Sequence, residues 1–137
     1  MCYFLLKSKY KLLDVNIYCA KEGKRKIKNL LKLAFPNSTT EILKTLNLKY
    51  EYKNIFELKK YSVERVEVEH GRMPSYGYIF KDKDKYIGFT GDTALCENVE
   101  YMSSKCDYLF CDCMFPEGTA KHMGIDNLKY LSEKYPQ

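Results

Sequence analysis

The sequence predicts a domain of the α/β or α+β class, with strands and helices packed in layers. Apolar residues alternate with polar ones in some segments, which is the period of a strand, and recur every three or four residues in others, which is the period of a helix. The two kinds of segment also alternate along the chain, an order typical of layered domains. Without an internal repeat or a linker, residues 1–137 are predicted to form a single domain.

The first third of the chain predicts a strand followed by two helices. Residues 12–19 are rich in apolar and β-branched side chains, which is typical of a buried strand. Residues 24–35 place apolar side chains at helical spacing. Ser38 and Glu41 form a capping-box pattern, which predicts a second, short helix that continues through Leu46.

The middle of the chain predicts a set of strands. Residues 50–61 are mixed and predict a strand and a turn, whereas residues 63–70 alternate clearly between apolar and charged side chains. Residues 76–80 and 85–90 predict two further strands, and the polar turn at 81–84 connects them as a hairpin.

The last third predicts a short helix, a strand and a terminal helix. The helix covers residues 98–103 and the strand covers residues 108–113. After a loop at 116–118, apolar residues at helical spacing from Ile125 predict a terminal helix that stops at Pro136.

Composition excludes several classes of protein. No segment approaches the roughly 20 apolar residues of a membrane helix. Residues 1–6 are apolar but short and lack a preceding basic region, so they make a poor signal peptide, and we predict a cytoplasmic protein. The six cysteines form no Cys-x-x-Cys pair and are predicted to be reduced, with Cys111 and Cys113 as small buried side chains on one face of a strand.

A cluster of basic residues lies between Lys21 and Lys32, where six lysines and arginines accompany one glutamate. Such a cluster attracts phosphates or RNA. A solvated helix face in a lysine-rich protein has the same composition. Both interpretations remain open at the level of the sequence.

Three residues could carry chemistry. His70 ends a strand, with its ring on the apolar face formed by Val66 and Val68, where a histidine is either a hydrogen-bonded core residue or a ligand. Asp92 follows an apolar strand, and a carboxylate there suits a divalent metal. His122 precedes the last helix, where a neutral imidazole can exchange protons or simply cap the helix.

Three segments that contain these residues, in this order and spacing, resemble the middle of a metallo-β-lactamase-fold hydrolase of the ribonuclease Z-like branch. The segments are Val68-Glu69-His70-Gly71, Tyr86 to Thr93, and His122-Met123-Gly124. The resemblance implies part of an αββα sandwich. It further implies His70 as a metal ligand, Asp92 as the carboxylate that bridges two metals, and His122 as the proton donor to the leaving group. Asp112 stands at a position that is often acidic in the family. The implied cofactor is Zn²⁺, two per complete site, with Mn²⁺ as an alternative.

The sequence departs from the family pattern in its histidines. His70 and His122 are the only two, so the signature His-x-His-x-Asp-His cannot occur in these 137 residues. The ligand histidine that normally follows the terminal helix is also missing. The resemblance therefore predicts an incomplete domain that corresponds to a central section of the fold and is inactive alone. A second copy or a complementing chain would cover the apolar interior that such a section exposes.

Two classes of function follow from these observations. The first is a fragment of a zinc-dependent hydrolase, with a phosphodiester as the favoured substrate and other esters as alternatives. The second is a non-catalytic basic module that binds RNA or protein, and a remnant without independent function is the remaining alternative. A serine hydrolase is disfavoured because no Gly-x-Ser-x-Gly is present, and a dinucleotide-binding fold is disfavoured because no Gly-x-Gly-x-x-Gly is present.

Overall fold

The computed structural model describes residues 13–19, 21 and 23–136. The chain divides into two compact units, residues 1–53 and residues 54–137. Leu12, Cys2 and residues 1–6, which enter the predictions above, lie outside the described residues. None of the helices in the described part is long and apolar enough to cross a membrane.

The first unit contains a pair of parallel strands and two helices. In chain order its elements are β1 (Leu13–Tyr18), α1 (Gly23–Ala34), α2 (Thr39–Thr45) and β2 (Leu46–Glu51). Backbone pairing places Val15 opposite Leu48 and Ile17 opposite Tyr50. The predicted strand and both helices are confirmed, but the predicted end of the second helix is wrong. Leu46 begins β2 instead, because the alternating apolar residues of this segment fit a strand that pairs with β1.

The start of α2 also differs from the capping-box prediction. Ser38 occupies the N-cap position, but its side chain makes no capping hydrogen bond. The buried Thr39 hydroxyl instead donates to the carbonyl of Phe35 at 2.6 Å. This bond ties the start of α2 to the residue that follows α1.

The second unit is built on a five-stranded sheet with the strand order β3-β4-β5-β6-β7. Its strands and helices are β3 (Ile55–Leu58), β4 (Tyr61–His70), β5 (Met73–Asp82), β6 (Lys85–Phe89), α3 (Glu97–Lys105), β7 (Tyr108–Phe110) and α4 (Ile125–Lys134). Neighbouring strands are antiparallel except β6 and β7, which are parallel. The predicted strands and helices of this part are confirmed, although β7 is shorter than predicted.

Two hairpins connect β4, β5 and β6. The polar turn predicted at 81–84 is confirmed, with Lys83 and Asp84 between the paired residues Asp82 and Lys85. After His70 the chain makes a two-residue turn, across which His70 pairs with Met73. The ring of His70 is therefore fixed at the last position of a paired strand.

The core of the second unit lies between one face of the sheet and the helices. Its buried side chains are Val66, Val68, Ile79, Val99, Met102, Cys106, Met123 and Leu131. The predicted alternation on β4 is confirmed, because Val66 and Val68 are buried whereas Glu67 and Glu69 are exposed.

The cysteines differ in exposure more than the sequence suggested. None of the five described cysteines forms a disulfide with another described residue. β7 ends at Phe110, so Cys111 and Cys113 do not share a strand face, and Cys113 is exposed. Cys111 is half-buried, so the prediction that both are buried is wrong for Cys113 and met only in part by Cys111. Burial raises the pKa of Cys106 and that of Cys111, each to about 11.

Alkylation of the native chain should follow this order. At pH 7.5 the buried Cys106 thiol is protonated, and since the thiolate is the nucleophile, iodoacetamide should modify Cys113 well before Cys106. Peptide mass mapping at successive times measures both rates, and the same reaction in urea is the control in which the difference disappears. Equal rates in the native chain would contradict the placement of Cys106 in the core.

Candidate functional site

The site lies at one edge of the five-stranded sheet. β4, β6 and β7 run in the same direction, because β5 is antiparallel to both β4 and β6, and β7 is parallel to β6. Their carboxyl ends therefore reach the same edge, where functional groups of open sheets commonly collect. His70 ends β4, Asp92 follows β6, and Asp112 follows β7.

His70 is held in one tautomer by a backbone carbonyl. Its Nδ1 lies 2.9 Å from the carbonyl oxygen of Lys121. A carbonyl oxygen only accepts hydrogen bonds, so Nδ1 carries the proton and Nε2 presents a lone pair. Histidines that bind metals are typically oriented by such a bond from the other ring nitrogen. The geometry of His70 therefore suits the ligand role implied by the resemblance.

His122 forms the second half of the site with Asp112. Its Nδ1 lies 2.8 Å from Oδ2 of Asp112, and the two side chains are only 16% and 9% exposed. The carboxylate accepts a hydrogen bond from Nδ1–H. In the neutral ring Nε2 then carries the lone pair and can accept a proton, and once protonated it can donate that proton. The rings of His70 and His122 meet edge to face, with centroids 4.8 Å apart. The structure thus brings together two histidines that are far apart in the sequence.

Asp112 is fixed by two threonines that are fully buried. The backbone amide of Thr93 donates to Asp112 Oδ2 at 3.1 Å, and the amide of Asp112 donates to the Thr90 hydroxyl at 2.9 Å. Asp112 was not among the predicted site residues. The sequence does contain one sign of its role: Asp112 is an acidic residue in an apolar run immediately after a strand. A carboxylate buried there requires hydrogen-bond partners.

Asp92 lies in the turn that leaves β6. Gly91 has a φ of 63°, a left-handed conformation that glycine adopts readily, and it turns the chain away from the sheet. The Asp92 carboxylate is exposed and forms no hydrogen bond or ion pair with the part of the chain that the structure describes. The hydroxyl of the next residue, Thr93, does not bond this carboxylate and donates to the carbonyl of Glu69 at 3.0 Å.

The loop that carries His122 is held in place by hydrogen bonds within the loop. Met123 is fully buried, and its carbonyl accepts from the amide of Met114 at 3.1 Å. The Thr119 hydroxyl accepts from the amide of His122 at 3.0 Å. Gly124, not His122, is the N-cap residue of α4, so the alternative of a helix-capping histidine does not describe this residue.

The donor set does not fit a complete metal centre. The described residues contain no group of three His, Cys, Asp or Glu side chains that could hold one ion. A catalytic zinc site normally takes three protein ligands, and a dinuclear site takes more. What the arrangement can do by itself is position the Asp112–His122 pair for proton transfer and present the lone pair of His70 beside it.

Solved structures with the same fold place the protein in a class. The short form of human tRNase Z is 16% identical and matches with a TM-score of 0.63, over 98% of this chain and 61% of that chain. A diphosphatase from the PhnP family is 22% identical with a TM-score of 0.63, over 90% of this chain and 44% of that one. Zinc-bound PqqB from Methylobacterium extorquens is 11% identical with a TM-score of 0.50, over 82% and 42%.

The described residues therefore form part of the metallo-β-lactamase fold, and at least one relative of that fold binds zinc. The chain spans less than two thirds of the length of each of these relatives. Within this class, the chain belongs to the family described as anti-Pycsar protein Apyc1, whose profile matches residues 2–137. No curated protein sequence matches the chain significantly.

Proposed function

We propose that the chain carries the proton-transfer part of a zinc-dependent hydrolase that cleaves phosphodiesters. The observation that carries this proposal is the hydrogen bond between the largely buried Asp112 and His122, placed beside the imidazole ring of His70. Two relatives of the fold support the substrate class, since their names describe a tRNase and a diphosphatase. Because the chain belongs to the family described as anti-Pycsar protein Apyc1, we also propose that this hydrolase activity serves an anti-Pycsar role.

In this proposal His122 is the general acid. The oxygen of a water molecule forms a new bond to phosphorus as the ester P–O bond breaks, and that water loses one proton to the solvent. The electron pair of the broken bond goes to the leaving oxygen, which takes the proton from Nε2 of the imidazolium. Asp112 fixes the orientation of the ring, because its carboxylate accepts the hydrogen bond from Nδ1. His70 and Asp92 are the residues we assign to metal binding. They are too few for a complete centre, so no step of the metal chemistry is assigned to this chain.

Activity should therefore depend on ligands that the sequence lacks. We expect residues 1–137 alone not to hydrolyse bis(p-nitrophenyl) phosphate with Zn²⁺ or Mn²⁺. A chimera that flanks them with the family segments carrying His-x-His-x-Asp-His and the final ligand histidine should hydrolyse it. Release of p-nitrophenolate measures the rate, and His70→Ala in the chimera is the control that should abolish it.

Two results would count against the proposal. One is a folded chimera that leaves phosphodiesters intact but hydrolyses a lactone or thioester. The other is a chimera whose phosphodiesterase activity is unchanged by His70→Ala.

A second candidate function rests on the exposure of the basic cluster. The side chains of Lys24, Arg25, Lys26, Lys28 and Lys32 are all exposed on α1. Binding of single-stranded RNA that weakens steeply with salt, that EDTA does not change and that Lys26→Glu with Lys28→Glu removes would support a binding module. Fluorescence anisotropy measures this binding, and its absence at low salt would exclude the candidate.

A further inference from the structure

We propose that Thr90 is a positioning residue that holds Asp112 in place and, through Asp112, keeps His122 in the Nδ1–H tautomer. The inference rests on the proposed function, because it concerns the residue that donates the proton there. The parallel pair β6–β7 ends irregularly beside the site. The amide of Thr90 donates to the carbonyl of Phe110 at 3.0 Å, which is the last regular bond of this ladder.

The next bond of the ladder is made by a side chain. In a regular parallel pair the amide of Asp112 would donate to the backbone carbonyl of Thr90. Here it donates to the Thr90 hydroxyl at 2.9 Å, at the point where Gly91 turns the chain away from the sheet. The same hydroxyl lies 2.9 Å from the carbonyl of Gly91, which accepts its proton. Thr90 thus extends the strand pairing by one residue, and that residue is Asp112.

The position of Asp112 decides the state of His122. Oδ2 of Asp112 accepts from His122 Nδ1 at 2.8 Å and from the amide of Thr93 at 3.1 Å. A carboxylate in this place selects the tautomer with the proton on Nδ1, whereas a ring without such a partner samples both tautomers. Without the bond from its amide to Thr90, Asp112 shifts relative to the His122 ring. Its preference for the Nδ1–H tautomer then weakens.

Thr93 offers a matched control. It is as fully buried as Thr90, and its hydroxyl is also bonded to backbone carbonyls. However, it contacts Asp112 through its backbone amide, which a side-chain substitution retains. Thr90→Val and Thr93→Val therefore remove the same chemical group at equal burial, but only the first removes a bond to Asp112.

The test is nitrogen-15 NMR of the histidine side chains in the full chain at a pH where the rings are neutral. We expect wild type, Thr90→Ser and Thr93→Val to show His122 with its proton on Nδ1. Thr90→Val should show a mixture of tautomers, and Thr90→Ala replaces it if the valine variant does not fold. Unchanged His122 signals in a folded Thr90→Val or Thr90→Ala variant would overturn the inference. Equal changes in the Thr90→Val and Thr93→Val variants would also overturn it.

The spectra require neither metal nor substrate. A chimera that fails to cleave phosphodiesters would therefore refute the proposed function without changing the tautomer result. Conversely, an unchanged His122 tautomer in the Thr90 variants would refute this inference without changing the result of the hydrolysis assay.

Discussion

Replacing Met102 with alanine should lower the free energy of unfolding by about 2–5 kcal/mol, the range for loss of a large buried side chain. Met102 is fully buried on α3 and packs against the two sheet glycines that face it. A Cβ on Gly77 would lie 2.9 Å from its Sδ, and one on Gly88 would lie 3.5 Å from its Cε. Truncation therefore leaves a cavity between helix and sheet on the side where the two glycines offer no side chain to fill it.

Urea unfolding followed by circular dichroism measures this effect. Met73→Ala is the matched control, because Met73 is 62% exposed and its loss should change stability by less than about 0.5 kcal/mol. Equal destabilisation by the two substitutions would contradict the packing of α3 on the sheet.

Replacing His122 with alanine in the chimera that supplies the missing ligand histidines should lower the rate of hydrolysis by about 10²–10⁴-fold for a phosphodiester with an alcohol leaving group. The reason is that an alkoxide is a poor leaving group and needs a proton, which Nε2 of His122 would supply. For p-nitrophenolate, which leaves without a proton, the loss should be small. Steady-state rates on matched methyl and p-nitrophenyl esters measure the difference.

Two further variants sharpen this prediction. Asp112→Asn should also lower the rate more for the methyl ester than for the p-nitrophenyl ester, because an amide no longer fixes the His122 ring in the orientation that the carboxylate imposes. His70→Ala should reduce both rates together, since a lost metal ligand affects every substrate. A His122→Ala variant that loses the same factor on both esters would show that His122 acts as something other than a general acid.

Much of the second unit could be predicted from local patterns. The alternation on β4 identified Val66 and Val68 as core residues, and helical spacing identified α3 and α4. β2 was missed because the capping-box pattern just before it favoured a longer helix, and its pairing with β1 is a long-range contact that a local pattern does not contain.

The site depends even more on long-range contacts that local sequence patterns do not contain. The likeness to a known family joined His70, Asp92 and His122, which spacing alone could not do. Asp112 was noted as a position that is often acidic in the family but was given no role, because its importance comes from its bonds to Thr90, Thr93 and His122. Those partners are brought together only when the strand ends meet at one edge of the sheet.

The central claim is that this chain holds a proton-transfer pair beside an incomplete set of metal ligands. Calorimetric titration of the folded chain with Mn²⁺ tests it most directly, because Mn²⁺ prefers carboxylate ligands and thiolates bind it poorly. We predict no tight binding of two ions per chain, and weak binding that His70→Ala abolishes and His122→Ala leaves intact. Tight binding of two ions by residues 1–137 alone would contradict the account.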